Sequence, residues 1–224
     1  MIPICLWCPH PRYLARLLVI SGRTRTLTKT KRKACQKRSP TLLHRHEAAA
    51  VAIREKAGIG RFEPFLPFCH LDALDVKVRY LDEAAKLNEI LDGIGAKEFS
   101  GWGKALPGGA LLVVLNRSQT QERKNVTLLE EVAHHHYGHA VTYVGPLGRT
   151  EYSPADEQEA QFTAAAALLP AKMVAMRVYQ KKDGESLAAR FGASEELFEQ
   201  RVKTLGLWDL YDRPTPTRLT ARAT

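Results

Sequence analysis

No run of about 20 apolar residues occurs in this 224-residue chain, which excludes a hydrophobic membrane-spanning helix. The opening stretch MIPICLWCPHPRYLARLLVI is broken by Pro3, Pro9, Pro11, Arg12 and Arg16, so it lacks the apolar centre of a secretory signal, and a cytosolic protein is expected. Cysteine is scarce, at positions 5, 8, 35 and 69. Cys5 and Cys8 form a C-x-x-C pair with no second pair at zinc-ribbon spacing, which argues against both a structural zinc and a disulfide framework. Acidic residues are missing altogether from residues 1–46, which hold seven Arg and four Lys; the net +9 of the chain therefore leaves −2 on the other 178 residues. The basicity that would ordinarily indicate a nucleic-acid partner belongs to an N-terminal arm and not to the body. Its block GRTRTLTKTKRKACQKR has one sign of charge and few core-forming residues, so it reads as disordered. Nucleic-acid contact through the arm stays open without being favoured, and a start placed too far upstream would account for it equally well.

What is present is an ordinary globular composition, 45% apolar and 25% charged, on a length suited to one domain with an extension. The globular pattern begins at about Pro40; residues 1–46 are assigned to the arm, 47–211 to the domain and 212–224, rich in Thr and Pro, to a flexible tail. LLHRHEAAAVAIREKAG predicts an amphipathic helix stopped by Gly58. DVKVRYL alternates as a half-buried strand does, and LDEAAKLNEILDGIG predicts a short helix or turn. A Pro-Gly-Gly turn at 107 to 109 precedes ALLVVLN, a second strand, and a polar loop from Arg117 to Asn125. Near the C-terminus, residues 184–207 have the spacing of helix, glycine turn and helix, a helix-turn-helix-like unit. Glu195, Glu196 and Glu199 against Arg201 and Lys203 suit its second helix poorly to phosphates, so packing is expected there, with Leu187, Phe191, Leu197 and Leu205 inward.

Between these lies TLLEEVAHHHYGH, Thr127 to His139, in which Leu129, Val132, His136 and Ala140 recur at helical spacing. On such a helix Glu130 and His134 stand one turn apart on one face, with Glu131 rotated about 100° to the side. The string is one residue from H-E-x-x-H, in which two His hold zinc and the Glu takes a proton from the metal-bound water. Here it reads E-E-x-x-H, and a carboxylate is an acceptable zinc donor. Two other patterns compete. Thr127 and Glu130 fit a capping box, with Glu130 serving only the helix start. Glu131, His135 and His139 form an adjacent stripe of candidate ligands at i, i+4 and i+8. A third donor for the first set lies in DEQEAQFTAAAALLP, Asp156 to Pro170, an Ala-rich helix with Glu157 and Glu159 in its first turns. Acidic residues are favoured near a helix N-terminus in any case, which suffices for Asp156 and Glu157.

These motifs together resemble the ImmA/IrrE metallo-endopeptidases. The likeness rests on LLVVLN ending at Asn116, Arg123, TLLEEVAH, Gly138-His139, and EQEA followed by AAAALLP up to Pro170, and spans roughly residues 45 to 207. It implies an α+β, gluzincin-like (zincin-like) domain, mainly helical with a small three- or four-stranded sheet. It also implies metal ligands at Glu130, His134 and Glu159, with Glu131 as general base. The departures are Glu130 where the family has His and Thr163 where it often has Phe. Two carboxylates and one imidazole neutralise a dication that the usual set leaves positive, so Zn2+ would be a weaker Lewis acid, or Mn2+ preferred. The expected activity is hydrolysis of a peptide bond in a repressor or antitoxin-like regulator, by an extended substrate pairing with the edge of the strand ahead of the metal helix. The alternative is a regulatory binding module, for protein or DNA, that retains the fold without turnover.

Overall fold

The computed structural model describes residues 40–80, 100–144, 150–180 and 183–212. The basic arm before Pro40, the LDEAAKLNEILDGIG segment and the tail after residue 212 lie outside the described residues. No helix among the described residues is long and apolar enough to cross a membrane. The architecture is α+β, a small sheet beside a mainly helical body.

Helix α1, Pro40–Lys56, begins with Pro at its first position, where the missing N–H costs nothing. It therefore takes Arg45 and His46, assigned above to the arm, into the folded unit. Ala49, Ala50 and Ile53 form its buried apolar stripe, continued by Ala57 just past its end. A 3-10 turn (Pro67–Cys69) and the short α2 (Leu71–Leu74) lead into strand β1, Val76–Tyr80. β1 runs parallel to β3, Leu111–Leu115, which is antiparallel on its other side to β2, Gly101–Ala105. β3 is thus the central strand, with Leu111, Val113 and Leu115 buried.

That order corrects the expected substrate edge. ALLVVLN is the predicted strand, but both of its edges are paired; the outer strands are β1 and β2, and the one that packs against the following long helix is β2. Ser100 O accepts from Asn116 N at one end of the β2–β3 hairpin, and Leu106 N donates to Ala110 O at the other. Antiparallel alternation then turns the backbone groups of Gly101, Gly103 and Ala105 away from β3. No strand among the described residues pairs with that side.

Helix α3, Gln121–Tyr137, starts almost two turns before the expected Thr127, because Thr120 Oγ1 caps it by accepting from Arg123 N at 3.2 Å. Thr127 is buried in mid-helix, so the Thr127–Glu130 capping box does not exist. The helix ends where Gly138 adopts φ 65°, a left-handed cap that glycine takes without steric penalty. His139 is consequently off the helix, and the Glu131–His135–His139 stripe does not form.

After a two-stranded ribbon that sequence periodicity did not announce, β4 (Tyr143–Val144) and β5 (Thr150–Glu151), Ser153 caps α4, Pro154–Leu168. Ala160, Ala164 and Ala167 of α4 are fully buried, small side chains that let α4 and α3 approach closely. The C-terminal carbonyls of α4, unpaired within the helix, are taken by two buried arginines. Arg54 donates through Nη1 to Ala167 O at 2.6 Å and through Nη2 to Gly60 O at 2.7 Å and to Glu63 O. Arg201 donates through Nε to Leu169 O at 3.1 Å and pairs with Glu47 of α1.

Helices α5 (Ala171–Tyr179), α6 (Glu185–Arg190), α7 (Glu195–Thr204) and α8 (Trp208–Tyr211) complete the body. The α6–α7 pair is a packing unit as expected, with Leu187 and Phe191 buried. In α7 the buried face is Phe198, Arg201 and Val202, whereas Leu197 and Leu205 are only partly covered. Arg201 on that face reaches Leu169 O and Glu47.

Candidate metal centre and active site

Helix periodicity on α3 presents Glu130 and His134 to the start of α4, one turn apart. His134 is 3% exposed, and its ring stacks on Tyr152 with centroids 3.7 Å apart and planes 16° from parallel. Its Nε2 lies 3.7 Å from Glu157 Oε2, and its Nδ1 lies 2.9 Å from Nδ1 of His139. Glu157, set aside above as a helix N-terminal acid, is therefore the α4 carboxylate that faces His134. Glu159, two residues beyond and rotated about 200° around the helix, stands elsewhere. Its Oε2 is 3.1 Å from His139 Nε2, and its Oε1 is 2.9 Å from Arg45 Nε of α1.

The carboxylates around His134 interact strongly. Burial raises the Glu130 carboxyl above its ordinary range; Arg123 opposes this, Glu157 adds to it and His134 again opposes it. Glu131 is pushed up to about 8, first by burial and then by Glu130 and Glu157, against a hydrogen bond from the Gly103 N–H. That bond uses one of the outward-facing amides of β2, so Glu131 is lodged against the open strand edge. A Cβ at Gly103 would fall 2.6 Å from Glu131 Oε2 and 3.1 Å from its Cβ, so glycine is what permits the approach.

Two clefts open beside this cluster. One of about 410 Å³ runs along β2 and is lined by Gly103, Lys104, Leu111, His134, Val141 and Tyr152. The other, of about 490 Å³ and more polar, lies against Glu130, with Arg123, Gln161 and Gln200 in its walls.

The donor types beside His134 suit a divalent cation. Glu130, Glu157 and His134 supply two carboxylates and an imidazole, hard and borderline donors of the kind zinc and manganese accept. The 3.7 Å between His134 Nε2 and Glu157 Oε2 is within the span of two donors each about 2.1 Å from one ion. The Glu130 and Glu131 carboxyls, both raised by burial and by the neighbouring Glu157 charge, form an arrangement a dication relieves. Among the described residues, the group of three whose donor atoms all lie within 4.8 Å of one another is His139, Asp156 and Glu159, not Glu130, His134 and Glu157; in that group the Arg45 guanidinium already pairs with Glu159.

Tyr152 and the placement of His139 were not foreseen, since both residues lie in loops. Glu157 had a signal: it shares with Ala160, Ala164 and Ala167 the helical stripe that packs on α3. Thr163, one of the departures noted above, is buried and its Oγ1 is 2.9 Å from the Tyr137 hydroxyl, a polar contact that an apolar ring could not make.

Comparison with known proteins gives one family. The sequence model described as the IrrE N-terminal-like domain, Peptidase_M78, matches residues 71–203, from α2 through most of α7. A search of curated proteins returned no match.

Proposed function

The chain belongs to the IrrE N-terminal-like peptidase family, and from that premise we propose that it is a metal-dependent endopeptidase centred on His134. The observation that carries the proposal is the facing of His134 Nε2 and Glu157 Oε2 across 3.7 Å, with Glu130 and Glu131 beside them. Glu130, His134 and one carboxylate of α4 hold the ion. Glu159 was the α4 donor implied by resemblance to relatives; what supports Glu157 instead is its distance to His134 and the engagement of Glu159 by His139 and Arg45. Zinc bound there supplies Lewis acidity toward the scissile carbonyl and the attacking water. With Glu130 in place of a neutral imidazole, the set is charge-balanced, which favours slower turnover than a His-His-Glu site gives, or Mn2+ over Zn2+.

The remaining work falls to the chain. An extended substrate lies in the cleft along β2, pairing with the outward backbone groups of Gly101 and Ala105 while its side chains meet Leu111, Val141 and Tyr152. Glu131 accepts a proton from the attacking water and delivers it to the leaving amine. The hydrogen bond from the Gly103 N–H fixes the Glu131 carboxylate at the strand edge, which orients it for that shuttle. Tyr152, stacked on His134, closes one wall and keeps bulk water from that ring.

The substrate is proposed to be a regulatory protein such as a repressor or antitoxin-like partner, as the resemblance implies. Purified protein should hold about one equivalent of metal after zinc or manganese loading. It should also cleave a co-expressed regulator from its own genetic neighbourhood, with cleavage abolished by Glu131→Gln. Absence of stoichiometric metal after loading would overturn the proposal; binding of the regulator without cleavage in both forms would favour a regulatory binding module.

A further inference from the structure

His134 is one end of a hydrogen-bonded chain whose proton positions, for neutral imidazoles, follow from the contact distances. Arg45 Nε lies 2.9 Å from Glu159 Oε1, and a carboxylate accepts at both oxygens. Glu159 Oε2 lies 3.1 Å from His139 Nε2, so Nε2 must carry the hydrogen. A neutral imidazole has one N–H, which leaves His139 Nδ1 as an acceptor. His139 Nδ1 is 2.9 Å from His134 Nδ1, a distance that requires one hydrogen between them, and only His134 is left to supply it. His134 therefore carries its proton on Nδ1, and Nε2 keeps a free lone pair directed at Glu157. The opposite tautomer would put two bare Nδ1 atoms against each other.

We propose that Arg45, Glu159 and His139 form a relay that holds His134 in the Nδ1–H tautomer and orients its Nε2 as a ligand atom. Glu159 and His139 are then positioning residues, and the acidic motif on α4 divides its labour: Glu157 faces the ion and Glu159 fixes the imidazole that binds it. The ring stack of His139 on Tyr137, with planes 13° apart and centroids at 5.1 Å, and the contact of Arg45 with the same tyrosine ring hold the relay in place. Its members come from α1, the loop after α3, and α4, so three separate segments must be folded before His134 is presented correctly. A partner that fixes tautomer and ring direction typically changes metal affinity 10- to 100-fold.

This inference rests on the proposal that His134 is a ligand, and two measurements keep the two ideas separable. The first needs no metal: long-range proton–nitrogen NMR of the metal-free protein labelled with 15N-histidine, which reads the tautomer of each ring. His134 is expected as Nδ1–H in the wild type and in His139→Gln, whose side-chain carbonyl can still accept, and to lose that preference in His139→Phe and Glu159→Ala. The second is zinc affinity by competition with a chromophoric chelator. His139→Phe and Glu159→Ala are expected to bind 10- to 100-fold more weakly, with His139→Gln restoring much of the loss, whereas Glu157→Gln removes a donor and loses more. Thermal melts confirm that each variant is folded. An Nε2–H tautomer for His134 in the wild type, or a tautomer unchanged in His139→Phe, overturns the relay even if zinc binding persists. Correct tautomers without zinc binding in the wild type overturn the metal proposal and leave the relay standing.

Discussion

Gly103→Ala tests how closely Glu131 is held to the strand edge. The added methyl would sit 2.6 Å from Glu131 Oε2 and 3.1 Å from its Cβ, whereas ordinary contact begins near 3.4 Å. The carboxyl must therefore move by about 0.8 Å, and the close approach of its Cβ means that rotation of the side chain alone does not suffice. Overpacking of this kind costs about 1–3 kcal/mol. Against it stands a gain of about 0.4–1 kcal/mol, because alanine restricts the unfolded chain more than glycine does. The net effect in the wild-type background is a loss of about 1–2 kcal/mol. In a Glu131→Ala background the obstruction is gone, and the same substitution should be neutral or stabilising. A double-mutant cycle by urea denaturation should thus give a coupling of at least about 1 kcal/mol between positions 103 and 131. In the cleavage assay Gly103→Ala alone should lower turnover by about 100-fold, the cost expected for misplacing a catalytic group by nearly 1 Å. Equal costs of Gly103→Ala with and without the Glu131 side chain would refute the packing argument.

Arg54→Met leaves the carbonyls of Ala167, Gly60 and Glu63 without their donor and should destabilise the fold by about 3 kcal/mol or more in urea; a loss below about 1 kcal/mol would show that water replaces it. Zinc at about 100 times its dissociation constant should raise unfolding free energy by about 2.7 kcal/mol in the wild type, reversibly with EDTA, and have no such effect in His134→Ala. Burial lowers the His70 pKa below its ordinary 6.5, so the unfolded chain takes up that proton first as the pH falls. Stability should therefore decline below pH 6.5, and His70→Gln should flatten melting temperature against pH between 7 and 5; an unchanged slope would assign the acid sensitivity to other groups.

The two long helices of the site were legible because local signals mark them: alternation of three and four in α3, alanine content and Pro170 in α4. Their ends were read less well, since Thr120 caps α3 without the acidic partner that makes a capping box recognisable. Strand β2 was missed for a physical reason. Gly-Trp-Gly-Lys-Ala has weak strand propensity, and it is held by pairing with β3, a tertiary effect that no local pattern carries. Position 130 and position 134 follow from the helix repeat. The choice between Glu157 and Glu159 does not, because it depends on which stripe of α4 packs on α3 and on Arg45 arriving from α1.

The two buried arginines set the smallest piece of this chain that can stand alone. The family-matched region begins after α1, yet Arg54 and Glu47 of α1 supply the donor for Ala167 O and the counter-charge for Arg201. A fragment trimmed to that match would leave a guanidinium in the interior with no anion beside it and a helix end with no cap. Expression trials should therefore keep everything from Pro40 onward.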